Sequence, residues 1–296
     1  MVEVVYDGNL GNNLFQYCFG RILAESLGYR LLAEPIKGFP GTFDVIEGKD
    51  FTGFRTIALS GQLVDLSFLD NQHLQCHILL TGYFQRYDYY KARRSDIREW
   101  LRLEDDIKFE PGINDVVLGI RRGNDYIPKH GLPLSYYETA LSQLHFEKVF
   151  ICTNEPNDPF IIHLAKKYSA IVREPGALDN IKFIKKFNKI VISNSTFLWW
   201  AAFLSDANEI IFPVPKNGFW SDFEPISKNI NLAIHENRYK YIGCEKYESK
   251  FISEKMRIFS ESILNKIKTI IRTLFPFLRR KKMKKDDYDF NEKFDF

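Results

Sequence analysis

Short, nearly continuous apolar runs alternate with longer amphipathic stretches along this chain, and that alternation predicts strands joined by helices. Val116-Val117-Leu118-Gly119-Ile120 reads as a strand buried on both faces, and Ile190-Val191-Ile192 reads as another. Around them the pattern predicts a helix near 135–144, a strand over 148–152, a helix over 159–168, a strand over 170–173 and a helix over 178–187. A helix bearing Trp199 and Trp200 follows Ile192, and 209–212 is the last strand expected. Strands linked by helices pair in parallel through right-handed crossovers, so the fold class is α/β and this region a Rossmann-like half. Upstream, Val2–Val5 predicts a strand that leads into a helix carrying Phe19, Ile22, Leu23 and Leu27. Residues 1–112 then form a smaller α/β region with Pro111-Gly112 as the seam, 113–235 the second half, and 236–296 a C-terminal segment of different character.

Three polar segments sit where these strands end. Ser193-Asn194-Ser195-Thr196 occupies the turn between the 190–192 strand and the tryptophan helix. The first amides of a helix have no intrahelical partner and carry the positive end of its dipole, which suits an anionic oxygen. Ser195 or Thr196 is placed to cap the helix and Asn194 to shape the turn; taken alone, the segment reads equally well as the cap of a core helix. Arg121 and Arg122 close the 116–120 strand, and burying two adjacent arginines without partners is costly, so a core role is not expected; taken alone the pair reads as a solvated surface patch, and beside a capped helix start in the same strand–helix layout it reads as an anion site. A guanidinium offers forked donors matched to phosphate oxygens. The third segment, Asp7 to Tyr17, is a Gly/Asn loop whose glycines lack the G-x-G-x-x-G spacing of a dinucleotide fingerprint, and no Gly-Lys-Ser/Thr of a P-loop follows.

Together the segments resemble glycosyltransferase family eleven, whose familiar members are α-1,2-fucosyltransferases. Gly11-Asn12-Asn13-Leu14-Phe15-Gln16-Tyr17-Cys18 is similar to that family's opening Gly-Asn-Gln-Leu-Phe-Gln-Tyr-Ala. Gly119-Ile120-Arg121-Arg122-Gly123-Asn124-Asp125-Tyr126 follows its His-x-Arg-Arg-Gly-Asp-Tyr, and Asn194 to Ala202 its Asn-Ser-Thr-Phe-Ser-Trp-Trp-Ala-Ala. Gly82-Tyr83-Phe84-Gln85 and Leu134-Ser135-Tyr136-Tyr137 also fall where the family has similar stretches, so the resemblance covers about residues 1–220. The departures are Gly119 in place of the motif histidine, Asn124 ahead of Asp125, and Leu198 in place of a frequent serine, the last a packing change.

The resemblance implies two Rossmann-like halves facing across a cleft, the GT-B architecture, and inverting transfer of a sugar from a nucleotide sugar, GDP-fucose first, to a glycan hydroxyl. It implies Arg121 as the principal diphosphate contact and Arg122 as a support for the loop or the nucleotide. Asn194, Ser195 and Thr196 serve the phosphates, and Gly11 and Asn12 lie across the cleft from the donor. Asn154, at the end of the 148–152 strand, is placed for ribose or base contact. Asp125 is the nearest candidate for the base that an attacking hydroxyl needs, with Asp7 its rival. Two other readings stay open: the same fold with another nucleotide sugar, and a glycan- or nucleotide-binding protein without turnover, which the missing histidine motivates.

Composition narrows the rest. The 296 residues carry a formal net charge of +3 and 45% hydrophobic residues, enough for one large or two small cores. Cys18, Cys76, Cys152 and Cys244 are far apart without a C-x-x-C pair, so free thiols are expected. No cofactor is expected: there is no Asp-x-Asp motif, Asp105-Asp106 is the nearest acidic pair, and His73, Cys76 and His77 lack a partner cluster. The chain opens on a strand with no signal peptide, which predicts a cytoplasmic protein and makes the 194–196 sequon irrelevant. Between Lys250 and Lys285 the many basic residues are opposed only by Glu254 and Glu261, while Met256, Phe259, Ile263, Ile267 and Ile270 recur at helical spacing. No run there approaches the roughly 20 apolar residues that span a bilayer, so 250–285 reads as an amphipathic helix lying on an anionic membrane surface, the inner face of the cell membrane, ahead of the alternative of a helix docked on the protein's own core with a disordered tail. A lipid-linked glycan acceptor fits that placement, and nucleic acid does not, because a binding motif and aromatic platforms are missing.

Overall fold

Two parallel sheets organise the chain, and the computed structural model describes residues 1–60, 64–65, 75–123, 126–174, 176–215, 230–244 and 267. In the first sheet β1 (Val2–Val4), β2 (Leu31–Leu32), β3 (Thr56–Leu59) and β4 (His77–Leu80) run in the order β2-β1-β4-β3, every pairing parallel. The second holds β5 (Val116–Ile120), β6 (Val149–Thr153), β7 (Ile171–Arg173), β8 (Lys189–Ile192), β9 (Glu209–Pro215) and β10 (Tyr239–Cys244). Its order is β10-β9-β8-β5-β6-β7, again all parallel. Counted from β5 this is the doubly wound Rossmann order, and the winding reverses between β5 and β8.

The 209–212 strand was expected to be the last; instead β9 continues to Pro215 and β10 adds a sixth strand beyond residue 235. Only Tyr239 and Ile242 of β10 are buried, a spacing of three on an edge strand, so the period-two signal of a half-buried strand is missing there.

In the first half α1 (Leu10–Leu27) and α2 (Arg94–Trp100) accompany the sheet. In the second, α3 (Ile127–His130), α4 (Leu134–Ser142), α5 (Pro159–Tyr168), α6 (Ala177–Ile184) and α7 (Thr196–Phe203) do. All five residues of β5 are buried: Val116, Leu118 and Ile120 pack with Tyr136 and Tyr137 of α4, and Val117 with the cluster that holds α6 and α7. Coverage on both faces is why this strand reads as an unbroken apolar run. Asp158 caps α5, accepting the Phe160 N–H at 2.8 Å, with Pro159 at the first helical position.

Helix α7 is apolar all round and correspondingly buried, with Trp199, Trp200, Ala201, Ala202 and Phe203 fully inside. Both indole N–H groups are satisfied by backbone carbonyls, Trp199 at Leu232 (2.8 Å) and Trp200 at Gly11 (3.0 Å). The Phe15 ring of α1 lies 5.0 Å from Trp199 and 4.6 Å from Trp200, and Tyr90 lies 6.1 Å from Trp200. One apolar core therefore runs through both halves, which belong to a single compact unit, Met1–Phe251. No helix among the described residues is long and apolar enough to cross a membrane. The amphipathic helix expected over 250–285 lies outside the described residues except for Ile267, which is helical and exposed.

Candidate functional site

The carboxyl ends of β5 and β8, neighbours at the point where the winding reverses, deliver Arg121 and Ser193 to the same place. Ligands of open α/β sheets bind in the crevice at this point. The Arg121 N–H donates to Ser193 Oγ at 3.0 Å, and the Tyr126 hydroxyl donates to the Asn194 carbonyl. Burial pushes the Tyr126 phenol up, so it stays a protonated donor. The arginine loop and the turn into α7 are thereby locked to each other. Arg121 itself is partly exposed, its guanidinium carbon 5.9 Å from the centre of the Tyr126 ring.

Arg122 departs from expectation. Its side chain is only 2% exposed: Nε donates to Asp158 Oδ2 at 3.1 Å, and the guanidinium lies 4.2 Å over the Phe160 ring. A buried cation requires such compensation, and the capping aspartate of α5 provides it with its second oxygen. Of the two tasks expected of Arg122, loop support is the one these contacts describe. Asn154 belongs to the same loop. Its Oδ1 accepts the Arg122 N–H at 2.9 Å and its Nδ2 donates to the Arg122 carbonyl at 2.8 Å, so the amide holds the arginine loop to the end of β6.

At the start of α7, Ser195 occupies the N-cap with extended backbone (φ −139°, ψ 128°), but its side chain makes no capping bond. The turn is closed by backbone instead, with the Ser195 N–H donating to the Ser193 carbonyl and the Trp199 N–H to that of Ser195. Asn194 is buried, and the amides of Thr196, Phe197 and Leu198 have no acceptor among the described residues, as the first turn of a helix dictates.

Gly11 and Asn12 were expected across a cleft from this turn, and they touch it. A Cβ on Gly11 would stand 2.5 Å from the Phe197 nitrogen and 2.8 Å from Thr196 Oγ1, so only glycine lets the first turn of α1 lie against that of α7. Thr196 Oγ1 donates to Asn12 Oδ1 at 3.2 Å, and the same oxygen accepts from Gln85 Nε2 at 3.0 Å. All three polar segments singled out in the sequence thus converge on 193–196. Asp125 lies outside the described residues.

The two departures Gly119 and Leu198 are one steric event. A Cβ at Gly119 would meet Leu198 Cδ2 at 2.7 Å, so the leucine fills the space that a side chain on β5 would take. Gly119→Ala is accordingly expected to cost about 1–3 kcal/mol by overpacking. In urea unfolding, Gly119→Ala/Leu198→Ala should be less destabilised than the sum of the single variants; strict additivity would show that the two positions do not compete for space.

Asp105 and Asp106 are each paired with a lysine: Lys186 Nζ lies 2.9 Å from Asp105 and Lys182 Nζ 2.8 Å from Asp106, pinning the linker between the halves to α6 and the turn after it. The described residues contain no group of three or more His, Cys, Asp or Glu side chains placed to hold a metal. All four cysteines are free thiols, and burial pushes the Cys152 thiol up to about 12, which leaves it inert.

Sequence reasoning passed over Ser193, Tyr126 and Asp158 as functional groups. Asp158-Pro159 did carry a helix-start signal, but nothing in the local pattern reveals that the aspartate's other oxygen meets Arg122 from 36 residues away. No protein-family model matches this sequence, and no curated protein matches it.

Proposed function

We propose that this chain is an inverting, metal-independent glycosyltransferase of the α-1,2-fucosyltransferase type, moving fucose from GDP-fucose to a hydroxyl of a glycan acceptor in surface polysaccharide assembly, on a GT-B framework. The observation that carries this reading is the convergence of the Arg121 loop, the first turn of α7 and the first turn of α1 at the switch point of a Rossmann-ordered sheet. A diphosphate leaving group gains charge as its bond to the sugar breaks, and fixed donors aimed at it stabilise that transition state. Arg121 is the guanidinium for this work, with the α7 amides and the Ser195 hydroxyl beside it. Arg122, Asn154 and Asp158 hold the loop in place. The basic, apolar-striped segment 250–285 supports attachment to the inner face of the membrane, near a lipid-linked acceptor.

A second reading, nucleotide binding without turnover, is favoured by one observation: Leu198 occupies the space at Gly119 and leaves that position without a polar group. A panel of nucleotide sugars, each followed for release of its nucleoside diphosphate in EDTA, tests both. The proposal expects GDP-fucose to be turned over at a rate that added magnesium or manganese does not change. Activity lost in EDTA and restored by either metal would overturn the metal-independent reading, and tight GDP binding with no release from any donor would establish the second.

A further inference from the structure

The first sheet has its own exposed chemistry at its carboxyl edge. β1 and β4 are its two central strands, β2 lying on one side and β3 on the other. Three residues beyond the end of each come Asp7 and Tyr83. The Tyr83 hydroxyl donates to Asp7 Oδ2 at 2.6 Å. One buried side chain fixes both loops: Gln16 Oε1 accepts the Asp7 N–H at 3.1 Å, and its Nε2 donates to the Gly82 carbonyl at 3.2 Å. Asp7 is exposed, and its second oxygen has no partner among the described residues. The result is a carboxylate aimed by a tyrosine on a rigid base, with one face open.

That carboxylate is within chain reach of the turn into α7. Asp7 is four positions from Gly11, a reach of at most about 14 Å, and Gly11 lies directly against Phe197 and Thr196. The hydrogen bond to Asp7 raises the Tyr83 phenol, so the tyrosine remains a donor through neutral and mildly alkaline pH.

Building on the glycosyltransferase reading, we propose that Asp7 is the catalytic base for the incoming hydroxyl and that Tyr83 is its positioning residue. The acceptor oxygen bonds to the anomeric carbon from the face opposite the diphosphate as the carbon–oxygen bond to the diphosphate breaks. The electron pair of that bond leaves with the nucleoside diphosphate, and the acceptor's proton passes to the open oxygen of Asp7. The ligand class for this edge is a polyhydroxylated sugar, whose hydroxyls donate to a carboxylate and whose ring faces stack on a tyrosine such as Tyr83.

Full-length wild type, Asp7→Asn and Tyr83→Phe decide the matter, with GDP-fucose as donor and water as the acceptor, so that no acceptor need be identified. GDP release is followed at a range of donor concentrations and GDP binding by calorimetry. Asp7→Asn is expected to bind GDP as wild type does and to release it about 100-fold more slowly. Tyr83→Phe should show a smaller drop in kcat with KM unchanged, since it only misaims the base. Wild-type turnover in Asp7→Asn, or a loss of GDP affinity matching the loss of rate, would overturn the assignment and leave the glycosyltransferase reading standing. A wild-type protein that binds no nucleotide sugar, or releases no nucleoside diphosphate from any donor of the panel, would overturn both.

Discussion

Asp158→Ala is expected to destabilise the protein by about 3–5 kcal/mol, the loss that follows when one partner of a buried ion pair is removed. Arg122 is 2% exposed and Asp158 14% exposed, so without the carboxylate the guanidinium stays buried over Phe160 and loses this ion pair. The variant also deletes the cap of α5, a further loss of about 1 kcal/mol. Asp158→Asn separates the two effects, because an asparagine caps as well as an aspartate but carries no charge. Replacing both residues by apolar ones, Arg122→Met with Asp158→Leu, should recover much of the stability, since a well-packed hydrophobic pair often equals a buried ion pair. Urea unfolding checks all three. An Asp158→Ala loss below about 1 kcal/mol would mean that the pair behaves as an exposed one.

Much of this framework is legible in the sequence, for identifiable reasons. β5, β6 and β8 are covered on both faces, which leaves the unbroken apolar runs that define them. The sharp ends of those runs place Arg121 and Ser193 correctly at the edge of the sheet. β10 escapes because an edge strand buries only two of its six residues and so never shows alternation. The roles of Arg122 and Asn154 escape for a different reason. A sequence shows that two arginines end a strand, but the sheet's twist and the neighbouring loop decide which one turns inward to Asp158 and which turns toward solvent. The contact between Gly11 and Phe197 is likewise a product of tertiary packing, linking turns 186 residues apart, and only the absence of a side chain at Gly11 hints at it.

Arg121→Lys is expected to lower kcat/KM for the nucleotide-sugar donor about 100-fold, with no change in the unfolding midpoint. Removing one preorganised donor to developing negative charge costs about 10²–10³ in rate. Lysine keeps the charge but not the planar fork that engages two phosphate oxygens at once. Stability should be spared because the Arg121 side chain is partly exposed and the loop is held by groups that the substitution leaves intact: the backbone N–H at Ser193, the Asn154 amide and the Arg122–Asp158 pair. A kinetic loss accompanied by an equal loss of stability would mark Arg121 as a structural residue like its neighbour.

On the proposed reading the switch point of the second sheet is a metal-free diphosphate site. Calorimetric titration of GDP and UDP into wild type and Arg121→Lys, both in EDTA, tests it most directly. Wild type is expected to bind one nucleoside diphosphate per chain without a divalent cation, preferring GDP, and Arg121→Lys to weaken this binding at least tenfold, or about 1.4 kcal/mol. Binding that requires a metal, or a lysine variant that binds as tightly as wild type, would contradict it.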